Sequence, residues 1–137
     1  MATRISGTYK GRKRIALQHD ESGAIFLTDA PLDNNGEGQS FSPTDLVGAA
    51  LGSCVLTIMA IRAEKLGIPD FSSATFSVTK QMATNPRRIA SLTVEFHLPA
   101  TITEEQRESL ERAGRECPVG YSIHPEISVE QIFNYDQ

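Results

Sequence analysis

The feature that most constrains this chain is one long segment, Pro43 to Leu66, that is apolar on nearly every side. Ser42-Pro43-Thr44-Asp45 opens it as a helix: serine caps, proline suits the first helical position, and a carboxylate three residues after the cap faces the positive dipole end. Gly67 and Pro69 end it. Small residues (Gly48, Ala49, Ala50, Gly52, Ser53) crowd its first turns. A helix that is apolar all round has to be covered all round. A chain of 137 residues can bury a core, but it has little left over to enclose such a helix alone. The segment therefore predicts a subunit interface, and with it a homodimer. The apolar run from Leu46 to Ile61 contains Ser53 and Thr57 and meets Arg62, Glu64 and Lys65 at once, so it reads as too short for a comfortable bilayer span.

The flanks read as strands and one more helix. Arg4–Tyr9, Arg14–His19 and Ala24–Thr28 are β-like and are punctuated by Gly11 and Ser22-Gly23, which predicts two successive hairpins. Asp29 to Ser40 is a loop of turn formers, long enough to suspect function. Ala74–Ala83 and Ile89–Leu98 alternate in hydrophobicity across Asn85-Pro86 and predict an antiparallel pair. A helix from Thr103 to about Glu116 carries a capping box completed by Gln106. Cys117-Pro118 starts a short turn or helix to Ile123, and Glu126–Tyr135 reads as a last strand. With no repeat and no linker, the chain reads as one α+β domain, residues 1–137, without βαβ repetition.

Charge and motifs exclude several classes. A net charge of −4 and a pI near 5.3 give no reason to expect nucleic acid or an anionic membrane as partner. Arg12-Lys13-Arg14 and Arg87-Arg88 are short basic clusters that suit solvated turns. The N-terminus has no apolar signal region, so the cytoplasm is the expected compartment. His19, His97 and His124 with two distant cysteines lack zinc-ligand spacing. Asp33-Asn-Asn-Gly-Glu-Gly superficially resembles a calcium loop with Gly38 sixth, but its twelfth position is Thr44 in place of a bidentate glutamate, so a turn cluster is expected. No phosphate loop, dinucleotide fingerprint or nucleophile elbow occurs, and no bound cofactor or metal is expected.

That leaves the two cysteines, Cys54 and Cys117. In a reducing compartment a distant pair reads as free or redox-active thiols. Reduction of a peroxide needs a thiolate to attack the O–O bond and a second thiol to convert the resulting sulfenic acid into a disulfide. Two cysteines are the minimum inventory. Cys54 lies about three turns into the apolar helix among small neighbours, where burial alone raises a thiol pKa, so it needs a guanidinium nearby to act as a nucleophile. Cys117 precedes Pro118 at a helix N-cap, where N–H groups favour a thiolate, and local electrostatics alone would choose it as the attacker. The plain alternative is that both are small core hydrophobes.

Three segments resemble the OsmC/Ohr family of peroxide-reducing proteins, in its broad OsmC-like branch: Asp29 to Leu46 running into Ala50-Leu-Gly-Ser-Cys54; Thr79-Lys-Gln-Met-Ala-Thr-Asn-Pro-Arg-Arg-Ile89; and Cys117-Pro-Val-Gly-Tyr-Ser-Ile-His-Pro125. They stand in family order over nearly the whole chain. The resemblance implies an intertwined homodimer of antiparallel sheets around long buried central helices, with active sites at the dimer interface. It implies organic hydroperoxides as substrates and an external dithiol, lipoyl-type for some members, as electron donor. It makes Cys54 the attacking and Cys117 the resolving thiol, which reverses the electrostatic choice.

The family arginine matches Arg14, with Arg12 as fallback, in its own subunit's site or its neighbour's. Its role would be to hold Cys54 as thiolate and to bind a peroxide oxygen with a fixed planar donor. Many members carry a glutamate right after the helix-opening proline; Thr44 stands there instead, with Asp45 next. On an ideal helix Asp45 points about 180° away from Cys54 and ~13 Å along the axis, so capping suits it better than contact with the thiol. The second functional reading is accordingly a non-catalytic OsmC-like dimer that binds an apolar ligand in a stress-related role.

Overall fold

The computed structural model describes all residues, 1–137. Three strands, β1 (Ile5–Tyr9), β2 (Ile15–His19) and β3 (Ile25–Leu27), precede a 3-10 turn at Leu32–Asn34 and the helix α1 (Pro43–Lys65). Then come β4 (Thr75–Ala83), β5 (Arg88–His97), α2 (Glu104–Arg115), α3 (Pro118–Ser122) and β6 (Ser128–Asn134). The chain clusters into two compact units, Met1–Val47 and Gly48–Gln137.

In the first unit, β1-β2-β3 form an antiparallel meander of two successive hairpins, with Tyr9 opposite Ile15 and Leu17 opposite Phe26. This unit encloses almost no apolar side chain. Its fully buried residues are polar (Thr28, Asp29 and Ser42), while Ile5, Tyr9, Ile25, Phe26, Leu27 and Phe41 are exposed. Phe26 and Phe41 meet only edge to face, 6.5 Å apart.

The second unit holds the core. Along β5 the side chains alternate, and Leu92, Val94 and Phe96 are fully buried. They pack with Leu51, Val55, Met59 and Ala63, a stripe at the spacing of one face of α1. Close approach is set by glycines. A methyl group on Gly48 would press on Val78 and Leu92, and one on Gly114 of α2 would press on Val55 and Met59. At Gly52 it would fall 2.3 Å from the Phe76 ring, so only glycine admits that ring.

The ends of α1 follow local chemistry. Ser42 accepts from the Asp45 N–H at 3.1 Å, and the Ser42 N–H donates to the Asp45 carboxylate at 2.8 Å. Gly67, at φ +72°, closes the C-terminus: its N–H reaches the Glu64 carbonyl, and the Ile68 N–H reaches that of Ala63. The capping box at Thr103 and Gln106 is formed.

Two expectations are corrected. The second sheet, β4-β5-β6, is mixed, because β6 runs parallel to β5, with Val94 beside Gln131. The connection through α2 and α3 is long enough for a crossover, which a parallel partner needs, so β5-α2-α3-β6 makes one βαβ unit. Length also fails as an argument against a bilayer span: α1 has 23 residues and enough apolar character to cross one by composition. What distinguishes it is its buried stripe, which packs on a sheet.

The C-terminus is fastened to the end of β5. The Gln137 N–H donates to the Leu98 carbonyl, the Ala100 N–H to that of Gln137, and the Leu98 N–H to that of Asn134. His97 sits between two carboxylates, Asp136 at 2.9 Å and Glu95 at 3.2 Å. The hydrogen bond to Asp136, with the charges of Asp136 and Glu95, raises the His97 pKa against the opposing effect of burial. A raised folded pKa gives stability that is complete below the unfolded value, about 6.5, and lost as pH rises through the folded value. His97→Gln should therefore lower the melting temperature more at pH 6 than at pH 9. Equal losses at both pH values would show that the imidazolium contributes nothing.

Candidate active site

Two clusters of reactive or charged side chains stand out, one in each unit. In the second unit the fold brings the two cysteines together. Cys54 sits about three turns into α1, and Cys117 caps α3, accepting the Gly120 N–H at 3.2 Å. The Cys117 thiol has the Cys54 thiol as a neighbour close enough to influence it, and both are free. Gly120 leaves the room this needs, since a methyl group there would lie 3.2 Å from the Cys117 sulfur.

Their settings differ. Cys117 is 1% exposed, whereas Cys54 is only partly buried. Burial is the largest influence on the Cys117 thiol and pushes its pKa up. The Gly120 N–H works the other way, and the neighbouring Cys54 thiol adds to the rise. The N-cap expected from the sequence is thus present, yet the Cys117 pKa is raised and not lowered. The Gly120 and Val119 N–H groups of a five-residue helix do not offset desolvation. An attacking thiol must also meet its substrate, and Cys54 is the one that solvent reaches.

In the first unit Arg12 and Arg14 flank a turn in which Gly11, Arg12 and Lys13 all have positive φ. The Arg12 fork binds the Glu37 carboxylate through two hydrogen bonds, at 2.8 and 2.7 Å. Arg14 is more enclosed, with its side chain 19% exposed; its guanidinium lies 3.4 Å from Asp29 and 3.5 Å from Glu37. Asp29 is buried, and the Gln39 N–H donates to it at 3.0 Å. That bond, followed by the Arg14 charge, holds the Asp29 pKa below the usual carboxylate range despite burial.

The loop from Asp29 to Gln39 is folded back tightly. The Gly38 N–H reaches the Ala30 carbonyl, and Gly36 lies so near Ala30 that a methyl group would overlap its backbone. Neither Asp29 nor Glu37 is singled out by the sequence, where both read as turn residues. The available signal was charge: two acids in a loop that follows two arginines in a hairpin. Asp45 lies in the cap described above.

Comparisons with known proteins show the family and the fold. The family model described as OsmC-like protein matches residues 36–131. A candidate osmotic-stress-induced and detoxification-response protein from Psychrobacter arcticus is 36% identical, with a TM-score of 0.92 over 98% of this chain and 97% of that one. An organic hydroperoxide resistance protein OsmC from Legionella pneumophila matches at 16% identity and TM-score 0.77, over 98% and 97% of the two chains. The organic hydroperoxide resistance protein OhrB of Bacillus subtilis matches at 16% and 0.71, over 98% of both. At such identities the last two show a shared fold. No curated protein sequence matches the chain.

Proposed function

The chain belongs to the OsmC-like family, and from that premise we propose that it is a thiol-dependent peroxidase that reduces organic hydroperoxides. The observation that carries this reading is that a partly exposed thiol, Cys54, and a buried one, Cys117, are close enough to influence each other. Family membership supports a peroxide-related stress role, and the names of several structural relatives refer to organic hydroperoxide resistance.

In this mechanism the Cys54 thiolate attacks the terminal peroxide oxygen. The O–O bond breaks, the alkoxide takes a proton and leaves as alcohol, and Cys54 becomes a sulfenic acid. Cys117 then attacks the Cys54 sulfur, an S–S bond forms, and water departs. An external dithiol, of lipoyl type by family resemblance, returns two electrons and restores both thiols. Arg14 is assigned to the Cys54 thiolate and the peroxide by that resemblance. A fixed guanidinium suits the role, because it stays charged at any working pH and presents several donors in one plane. Asp45 acts through the helix cap, keeping the start of α1 in register.

The working form is a homodimer in the cytoplasm, in which the partner copy covers the apolar surface. Supporting this is the first unit, whose apolar side chains have no cover, together with Ala50, Thr57 and Ile61 exposed along α1. A dimer that folds as it assembles melts at a temperature that depends on protein concentration. Light scattering should give twice the 15.0 kDa of one chain, and the melting temperature should climb by several degrees over a hundredfold rise in concentration. A 15.0 kDa particle with a concentration-independent melt would refute the dimer.

The enzymatic reading is tested by mixing reduced protein with cumene hydroperoxide. Consumption of one equivalent without added reductant, and continued turnover with dihydrolipoamide, is the expected result. If peroxide persists at the rate of protein-free buffer, the chain is no peroxidase.

A further inference from the structure

Building on the peroxidase reading, we propose that Glu37 is a latch on Arg14 and that Arg12 sets its strength by competing for the same carboxylate. The geometry is asymmetric. Glu37 accepts two short hydrogen bonds from Arg12, at 2.8 and 2.7 Å, and one long one from Arg14, at 3.5 Å. Arg12 and Glu37 are both well exposed, whereas Arg14 and Asp29 are enclosed. Arg14 also keeps an unfinished bond: its Nε–H and the Asp29 Oδ1 are both buried without a hydrogen-bond partner, although the ion pair stands at only 3.4 Å. Unpaired buried groups of this kind cost free energy, so a small turn of the guanidinium towards Asp29 is favoured. Glu37 pulls the other end of the fork and opposes that turn.

Asp29 is the anchor in this scheme. It is fixed by the Gln39 N–H and cannot follow the guanidinium. Glu37, with a side chain 44% exposed, can let go. While Arg12 holds Glu37, Arg14 keeps a donor free for a peroxide oxygen. Without Arg12, both Glu37 oxygens are available to Arg14, and a bidentate arginine–carboxylate pair would take up the donors that substrate needs. Arg12 and Glu37 are therefore positioning residues, and Thr44 needs no acidic replacement on the helix, because the arginine's counter-charges sit in the Asp29–Gln39 loop.

The test is a double-mutant cycle on the full-length protein, with cumene hydroperoxide as substrate and dihydrolipoamide as reductant. R12Q should lower kcat/KM about tenfold with kcat little changed, because substrate capture is what the latch hinders. E37Q should raise kcat/KM severalfold, and R12Q/E37Q should behave like E37Q, so that removing the acid rescues the loss of the base. A merely structural ion pair would lower activity in all three variants and produce no rescue. R12K, which keeps the charge but not the fork, should fall between wild type and R12Q. Phenylglyoxal labelling of Arg14, read by peptide mass spectrometry, follows the latch without turnover: fastest in E37Q, slowest in R12Q. That order in a protein whose peroxide rate does not depend on Cys54 would sink the peroxidase reading and leave the latch standing. Equal labelling in all variants, or a double mutant as slow as R12Q, would overturn the latch.

Discussion

Replacing Cys54 by serine will reduce hydroperoxide consumption by at least about three orders of magnitude, to the level of free reagents in solution, because a hydroxyl without an adjacent base is no nucleophile at neutral pH. The loss has two sources. No thiolate meets the peroxide, and Cys117, which remains, is 1% exposed and held protonated by its burial. Cys117→Ser has a different signature. Its Cys54 still reacts once, so one equivalent of peroxide disappears in a burst. The sulfenic acid then has no neighbouring thiol and proceeds under excess peroxide to sulfinic acid. Stopped-flow peroxide assays with intact-mass analysis separate the two variants. Comparable steady-state activity in Cys54→Ser and wild type would remove Cys54 from the mechanism.

Phe96→Ala will be the most damaging single truncation in the core, costing about 3–5 kcal/mol. Phe96 is fully buried, stacked on Phe133 at 5.1 Å and 9° and tilted against Phe76 at 6.3 Å. It ties both neighbouring strands of its sheet together, since β4 supplies Phe76 and β6 supplies Phe133. Total stability of a domain this size is typically about 5–15 kcal/mol, so the variant should lose a fifth of it or more. Function should suffer ahead of global unfolding. Phe76 is the ring seated against Gly52, two residues before Cys54, and a cavity behind that ring lets it withdraw from α1. Urea titration should show an earlier midpoint, with peroxide activity falling below the folded fraction. A change below 1 kcal/mol would mean that the site collapses without loss and that the aromatic stack is not what fixes α1 on its sheet.

What the sequence made legible is what short-range chemistry decides. Ser42 with Asp45, Thr103 with Gln106, and Gly67 beyond α1 all announce helix ends within four residues of themselves, and each does its stated job. The strand pairs at Tyr9–Ile15 and Thr75–His97 follow from alternation and nearby turns. The direction of β6 was not legible, because it depends on how α2 and α3 carry the chain back to the sheet. Cys117 is the instructive residue. Its cap is local and visible, but the burial that raises its pKa comes from residues distant in sequence, and burial outweighs the cap. The carboxylates at Arg14 were hidden for the same reason. Glu37 reaches it only because Gly36 and Gly38 let the loop fold back on Ala30.

The central claim is that two thiols that are neighbours in the reduced protein act as one redox pair. It is tested most directly by adding a single equivalent of cumene hydroperoxide to reduced protein, trapping with acid, and mapping cysteines by peptide mass spectrometry. The account predicts one new species, short of two hydrogens, in which Cys54 is bonded to Cys117 of the same chain. Recovery of both cysteines as free thiols, or a bond only between different chains, would contradict it.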